Sequence, residues 1–402
     1  MNRRRLMFGF CVCAAAALSA CVTDGTTPRT TGAAPPLQPR LAAGYRPTMA
    51  TDEGGFWDVM QREEEKLRHS RFLIHDTELT SYIQEVICRL DSDHCKDVRV
   101  YVTRTPFFNA MMAPNGMMLI WSGLLLRVHN EAQLAAIVGH EYGHYLRRHT
   151  LQAWRDARRK TDIAMFLSLA LGAAGYGYGS YASDLITMAS IFAFSRDQER
   201  EADAYGLELM TKAGYQPLAA SKVWAQLIEE EKASTAEKWE TTLFATHPQS
   251  EERLATLRAN AEARLAAGAR TDVYQQRFEE HIKPIRTMLL NDQLHLRAYG
   301  RTEVLLNQLL ADNAGDGELL YFKGENYRLR NGDGDKSKAL AAYEEALAAG
   351  GAPPEIHRSI GLIHFRRKEW DKSNPAFERY LELRPQAPDR ATILSYIRQA
   401  NS

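Results

Sequence analysis

The sequence predicts a mainly α-helical protein in two folded parts. Residues 52–268 read as a helical domain with a small β-sheet, and residues 272–401 as a purely helical repeat domain. Three observations carry this prediction. Helical spacing of apolar residues dominates the chain, and strand-like patterns appear only between residues 98 and 121. The 402 residues exceed the usual size of a single domain. Beyond Asp272 the chain turns into helix pairs with internal similarity. Lys+Arg and Asp+Glu balance at 50 each, so no nucleic acid or other polyanion is expected as a partner.

The first twenty residues have the character of a lipoprotein signal peptide and stand outside the fold. Arg3, Arg4 and Arg5 precede the apolar run Leu6 to Leu18, which ends in Leu18-Ser19-Ala20-Cys21. That ending resembles a bacterial lipobox, which implies cleavage before Cys21 and a lipid on its thiol, an uncleaved anchor helix or an ordinary secretory signal being the alternatives. Val22 stands where an aspartate would favour the inner membrane, so the periplasmic face of the outer membrane is the expected location. Residues 21–51, rich in Thr, Pro, Gly and Ala, read as a flexible tether. Cys88 and Cys95 are then the only cysteines of the mature domain. In an oxidising compartment they are expected to close a short disulfide loop, two free thiols being the alternative.

From Asp52 the elements follow in order. One helix carries Phe56, Trp57, Val59 and Met60, and a second fits Glu78 to Leu90. Val98 to Val102 alternates as a strand. Asn109 to Ala113 and Met117 to Trp121 read as two further strands joined by a turn at Pro114-Asn115-Gly116. The strand Met117–Trp121, just before the next helix, is expected to form a cleft edge that accepts an extended peptide as an added strand. Asn109, Met117 and Leu119 are its candidate substrate-contacting residues. Residues 163–194 hold two apolar runs around a Gly/Tyr-rich centre, both shorter than the roughly 20 residues that span a bilayer. A buried helical hairpin is expected there, with a lid or a membrane-contacting surface as alternatives.

The chemistry concentrates in His140-Glu141-Tyr142-Gly143-His144. Asn130 suits the N-cap of a helix here, with Gln133 completing a capping box, and Arg147, Arg148 and His149 suit its C-terminal end. At 3.6 residues per turn His140 and His144 share one face, so both imidazoles can reach one zinc ion. Glu141 beside them can reach a water in the open position, which reads as half of a zinc-protease site. The remaining ligand is expected from Ser195-Arg-Asp-Gln-Glu199-Arg-Glu201-Ala-Asp203. Glu199 and Asp203 lie one helical turn apart, so one carboxylate can ligate while the other fixes the tautomer of a ligating histidine. Glu201 is expected to point elsewhere, into solvent.

In combination these motifs resemble the gluzincin peptidases of metallopeptidase family 48, over roughly residues 52 to 265. Asn109-Ala110, Ser195-Arg196, and Thr246-His247-Pro248 with Arg253 add to the likeness. The resemblance implies a zincin-type metalloprotease domain with one zinc ion per chain, ligated by His140, His144 and Glu199. It implies Glu141 as the catalytic base and Asp203 as support for a ligating histidine. His247 would lie near the metal, as a silencing fourth ligand or a transition-state stabiliser, and Arg253 would brace the loop that carries it.

Behind this region Gly324 and Gly361 anchor two similar units. Tyr327, Ala339, Tyr343 and Ala346 follow the first, and His364, Phe377, Tyr380 and Pro385 the second, at tetratricopeptide-like spacings. The turn Asn331-Gly-Asp-Gly-Asp335 lengthens the first unit, and residues 285–312 read as a degenerate earlier helix pair. Stacked pairs offer a concave surface for a protein partner. The expected function is a zinc-dependent endopeptidase of the bacterial cell envelope. Its substrates would be unfolded or misassembled envelope proteins, and the membrane would be reached through the lipid. The alternative is an assembly factor that acts mainly by binding through the repeats, with latent proteolysis.

Overall fold

The chain is already docked on the fold ahead of the first helix. Arg40 pairs with Asp91, and the backbone N–H of Leu41 donates to the Leu146 carbonyl at 3.0 Å. Leu41 is buried in the main core, and its carbonyl lies 2.9 Å from His94 Nε2. The tether expected up to residue 51 is therefore too long at its C-terminal end, because from Arg40 onward the chain is docked. The computed structural model describes residues 40–160, 194–233, 247 and 251–400, without the side chains of 157–160. The signal peptide, the lipid site at Cys21 and nearly all of the 163–194 segment lie outside the described residues.

Helices α1 (Asp52–Arg68) and α2 (Thr77–Leu90) open the fold. Asp76 caps α2 by accepting from the Leu79 N–H at 2.9 Å. Cys88, in the last turn of α2, forms a disulfide with Cys95, as the cysteine arithmetic anticipates. Strands β1 (Arg99–Thr103), β2 (Ala110–Met112) and β3 (Met117–Trp121) form one sheet in the order β1-β3-β2. Strand β3 runs parallel to β1 and antiparallel to β2, with Met111 opposite Leu119. The expected cleft edge at Met117–Trp121 is thus corrected. Strand β3 is central, its backbone is hydrogen-bonded on both sides, and Met117 and Leu119 are buried. The outer edge on this side belongs to β2.

The short helix α3 (Ser122–Arg127) leads into α4 (Glu131–Leu146), every residue of which is buried. Asn130 caps α4 as expected, accepting from the Gln133 N–H at 3.0 Å. The Gln133 side chain reaches back to the N–H of His129 rather than to that of Asn130. Helix α4 stops at Leu146, because Arg148 adopts a left-handed conformation (φ 58°), and α5 (His149–Lys160) starts in a new direction. Helices α6 (Arg196–Lys212), α7 (Leu218–Lys232) and α8 (Glu251–Ala266) complete the region around α4. A reciprocal capping box between Ser195 and Gln198 starts α6.

The remaining helices are α9 (Gln275–His295), α10 (Tyr299–Asp312), α11 (Gly317–Arg330), α12 (Asp335–Ala349), α13 (Glu355–Arg366), α14 (Trp370–Leu383) and α15 (Arg390–Ala400). An added Cβ at Gly324 would come within 2.5 Å of the Tyr343 ring, and one at Gly361 would meet the Phe377 ring equally closely. Equivalent glycine–aromatic contacts thus close the pairs α11–α12 and α13–α14, and this helical region fits a repeat organisation. The Asp335 carboxylate is taken up by Arg330 and the Gly332 N–H, consistent with an elongated turn at 331–335. No helix among the described residues is long and apolar enough to cross a membrane.

The described residues form one compact unit, and one core runs from Leu41 to Ile363 without a break near residue 270. The N–H of Gln216 donates to the Asp272 carbonyl at 2.9 Å and that of Ala132 to the Val273 carbonyl at 3.3 Å. Deeper, Arg127 makes a bidentate pair with Glu230 at 2.6 and 2.7 Å and donates to Gln293 Oε1 at 2.8 Å. The side chains of Arg127 and Glu230 are 4% and 1% exposed. This junction ties α3, α7 and α9 together, so the C-terminal helices are built into the fold of the first part. Arg127→Ala leaves Glu230 a buried carboxylate without its main counter-charge. It is expected to lower the unfolding free energy by about 3–5 kcal/mol in urea titration. A loss below about 1 kcal/mol would show that the junction is not a support.

Candidate metal centre

Two helices bring the predicted residues together because both present small residues where they cross. A Cβ added at Gly143 would lie 3.1 Å from the Cα of Ala202, and one at Gly206 would lie 2.8 Å from the backbone nitrogen of His140. Gly139 faces Gly206 in the same seam. Helices α4 and α6 therefore approach almost backbone to backbone. The carboxylate of Glu199, one turn into α6, is thereby delivered to the His140/His144 face of α4.

The result is one buried cluster. His140, His144, Glu199 and His247 each offer a ligand atom, and these atoms all lie within 4.8 Å of one another. His140 Nε2 and His144 Nε2 are 3.1 Å apart. Glu199 Oε1 lies 3.4 Å from His144 Nε2, and Oε2 lies 3.6 Å from His140 Nε2. His247 Nδ1 stands 2.9 Å from Glu199 Oε1 and 3.3 Å from His140 Nε2. Behind His140, its Nδ1 lies 2.9 Å from Asp203 Oδ1. An N–H shared with that carboxylate leaves the lone pair of His140 on Nε2, facing the centre. Imidazole lone pairs and a carboxylate converging in a buried space repel one another unless a cation sits among them. The donor set of nitrogens plus one carboxylate oxygen fits a zinc ion. The group can hold one metal ion, and His140, His144 and Glu199 are brought together as the motif spacing predicts.

Electrostatics follow from burial and these contacts. Burial opposes ionisation of Glu199, but the charges and hydrogen bonds of His247, His144 and His140 outweigh it and hold the carboxyl far below its usual range. Burial also opposes ionisation of Asp203, and the hydrogen bonds of His140 and Arg253 hold that carboxyl low. Glu141 is different. Burial dominates and pushes its carboxyl up, against the opposing charges of His247 and His140. A carboxylate raised in this way is suited to taking up and releasing a proton. Its Oε1 lies 3.5 Å from His247 Nε2. Burial keeps His144 neutral, the form that a metal ligand requires.

Arg253 reaches the acids of α6, and nearly all of the loop it was expected to brace lies outside the described residues. It binds Asp203 through two nitrogens at 2.6 and 2.9 Å and Glu199 Oε2 at 2.6 Å, with its guanidinium 5.3 Å from the Trp224 ring centre. Glu201, expected in solvent, lies 3.0 Å from Arg147 Nε and 3.2 Å from His149 Nε2. His149, read as a cation at the end of α4, is 2% exposed and stands 3.0 Å from His144 Nδ1. As a helix-end cation it gave no sign of a place at the centre, because only the turn at Arg148 brings it back under His144. Phe194 was also missed, and its ring stacks on that of His144 at 3.8 Å. Asn109 precedes β2 and is buried, and its Oδ1 has no hydrogen-bond partner among the described residues.

The model of peptidase family M48 matches residues 74–261, so this chain carries a peptidase M48 domain that contains the whole centre. The beta-barrel assembly-enhancing protease of Escherichia coli is 27% identical over 236 residues, 55% of this chain and 48% of that protein. The mitochondrial metalloendopeptidase OMA1 of Schizosaccharomyces pombe is 30% identical over 179 residues, 44% of this chain and 51% of that protein. The beta-barrel assembly-enhancing protease of Yersinia pestis is 25% identical over 237 residues, 56% of this chain and 47% of that protein. The chain spans about half the length of the curated relatives it matches.

The helix crossing gives a test of the geometry. Gly206→Ala places a methyl 2.8 Å from the His140 backbone and forces α4 and α6 apart. Zinc affinity, measured by competition with a chromophoric chelator, is expected to fall at least tenfold, the scale of losses seen when ligand support is disturbed. An unchanged affinity would mean that the close crossing does not position Glu199.

Proposed function

We propose that this chain is a zinc-dependent endopeptidase of the bacterial cell envelope. The observation that carries the reading is the convergence of His140 Nε2, His144 Nε2 and the Glu199 carboxylate beside a Glu141 whose carboxyl burial raises. His140, His144 and Glu199 would hold the zinc ion, which when bound supplies Lewis-acid polarisation of a water and of the scissile carbonyl. Glu141 takes a proton from the attacking water and returns it to the leaving amine, a transfer helped by its raised affinity for a proton. Asp203 keeps the Nε2 lone pair of His140 turned inward. Arg253 neutralises the paired acids of α6 and locks the Glu199 carboxylate in place. His247 sits against both Glu199 and Glu141, where it is positioned to act as a fourth ligand at rest or to stabilise the oxyanion once displaced from Glu199.

An extended substrate would pair with the outer edge of β2 rather than with β3. The β2–β3 ladder turns the backbone groups of Ala110 and Met112 away from β3, and the Met112 carbonyl takes the Thr150 hydroxyl at 3.3 Å. Asn109 Oδ1 is an acceptor that a peptide N–H would satisfy. Strand addition of this kind selects unfolded segments over folded domains.

In this reading the signal and lipobox at residues 1–21 deliver the chain to the periplasmic face of the outer membrane, anchored through lipid on Cys21. The tetratricopeptide-like pairs α11–α12 and α13–α14 receive a protein partner. The name of the Escherichia coli relative, a beta-barrel assembly-enhancing protease, supports substrates connected with beta-barrel assembly. Glu141→Gln tests the chemistry directly. Zinc should remain bound at one ion per chain while cleavage of unfolded casein falls by roughly 10²–10⁴-fold, the range of general acid–base contributions. Cleavage near the wild-type rate would exclude Glu141 as the base.

A further inference from the structure

We propose that His149 and Glu201 are positioning residues for the metal ligand His144, forming a relay that fixes which of its nitrogens carries the proton. The proposal rests on the reading of His140, His144 and Glu199 as metal ligands. It concerns residues that neither the motif nor that reading requires.

The relay follows from hydrogen-bond accounting. A neutral imidazole has one N–H and one lone pair. Glu201 can only accept, so His149 places its N–H on Nε2, 3.2 Å from Glu201 Oε2. The lone pair of His149 is then on Nδ1, 3.0 Å from His144 Nδ1. His144 must donate there, which leaves its own lone pair on Nε2, 3.1 Å from His140 Nε2 and facing Glu199. The arrangement mirrors the other ligand, where Asp203 acts on His140 Nδ1 directly. Both anchoring acids sit on α6, two residues apart, on the helix that supplies the ligand Glu199. One helix therefore provides a ligand and orients two more.

The backbone supports the same conclusion. His149 reaches His144 because Arg148, not a glycine, takes the left-handed conformation at φ 58°. A non-glycine residue in that region carries a conformational cost. The turn is held from outside, with Arg148 paired to Glu53 and lying over the Tyr45 ring. The Phe194 ring covers one face of His144, so the imidazole is restrained in its plane by packing and at Nδ1 by His149.

Histidine, asparagine and alanine at position 149, each with Glu201 or alanine at 201, give the test in the full chain. The readouts are zinc affinity by chelator competition, the visible spectrum of the cobalt-substituted protein, and the melting temperature of the metal-free protein. His149→Ala should weaken zinc binding roughly 10- to 100-fold and shift the cobalt spectrum. His149→Asn keeps an acceptor opposite His144 Nδ1 and should recover most of the affinity. Glu201→Ala should weaken binding when His149 is present and have no effect beside His149→Asn, where the relay is already cut. The metal-free melting temperature of His149→Asn should match the wild type. Affinity of His149→Ala within about threefold of the wild type overturns the proposal. So does an equal effect of Glu201→Ala in both backgrounds, or a failure of asparagine to restore binding in a protein that melts normally. A wild-type chain that binds no zinc overturns the metal-site reading and this proposal together, an outcome distinct from wild-type binding that the variants leave unchanged.

Discussion

The close crossing of α4 and α6 is the constraint on which the rest depends. Two helices with ordinary side chains at their contact lie 8–10 Å apart. Gly139, Gly143, Ala202 and Gly206 remove the side chains that would set that spacing, and a carboxylate on one helix meets two imidazoles on the other. Everything near the centre then becomes a matter of satisfying buried charge. Glu199 is buried and Asp203 nearly so, both are ionised, and Arg253 answers both. His247 settles against Glu199, and Glu141, with no strong cationic partner of its own, is left with a raised carboxyl. The same burial that makes the cluster costly without a cation makes it selective for one.

Much of this was legible in the sequence because the informative spacings are local. His140/His144 and Glu199/Asp203 are each one helical turn apart, and a helix is a safe inference over such stretches. Their assignment to one site came from the combined motif, and the structure places them together. What was not legible depends on distant contacts. The central place of β3 follows from its parallel pairing with β1, which a hairpin pattern between β2 and β3 does not reveal. The docking of residues 40–51 rests on Arg40 meeting Asp91 and Leu41 meeting the end of α4. His149 and Glu201 looked like a helix-end cation and a solvated acid until the turn at Arg148 set them beside His144. The glycines and Ala202 did carry a signal, small residues four apart on both helices, which becomes meaningful only when the helices are known to cross.

The C-terminal helices change character in the same light. Composition and periodicity read them as a helical repeat domain. The buried Arg127–Glu230–Gln293 junction and the shared core tie α9 to the region that holds the metal site. Helix α4 is gripped at its first residue as well, where Glu131 receives Tyr215 at 2.7 Å and Arg277 of α9 at 3.0 Å.

X-ray absorption at the zinc edge of the purified chain tests the central claim most directly. One zinc per chain is predicted, with a first shell of nitrogen and oxygen only and the multiple-scattering pattern of two or three imidazoles. Sulfur in that shell, or a chain that retains no zinc, would contradict a centre built from His140, His144 and Glu199.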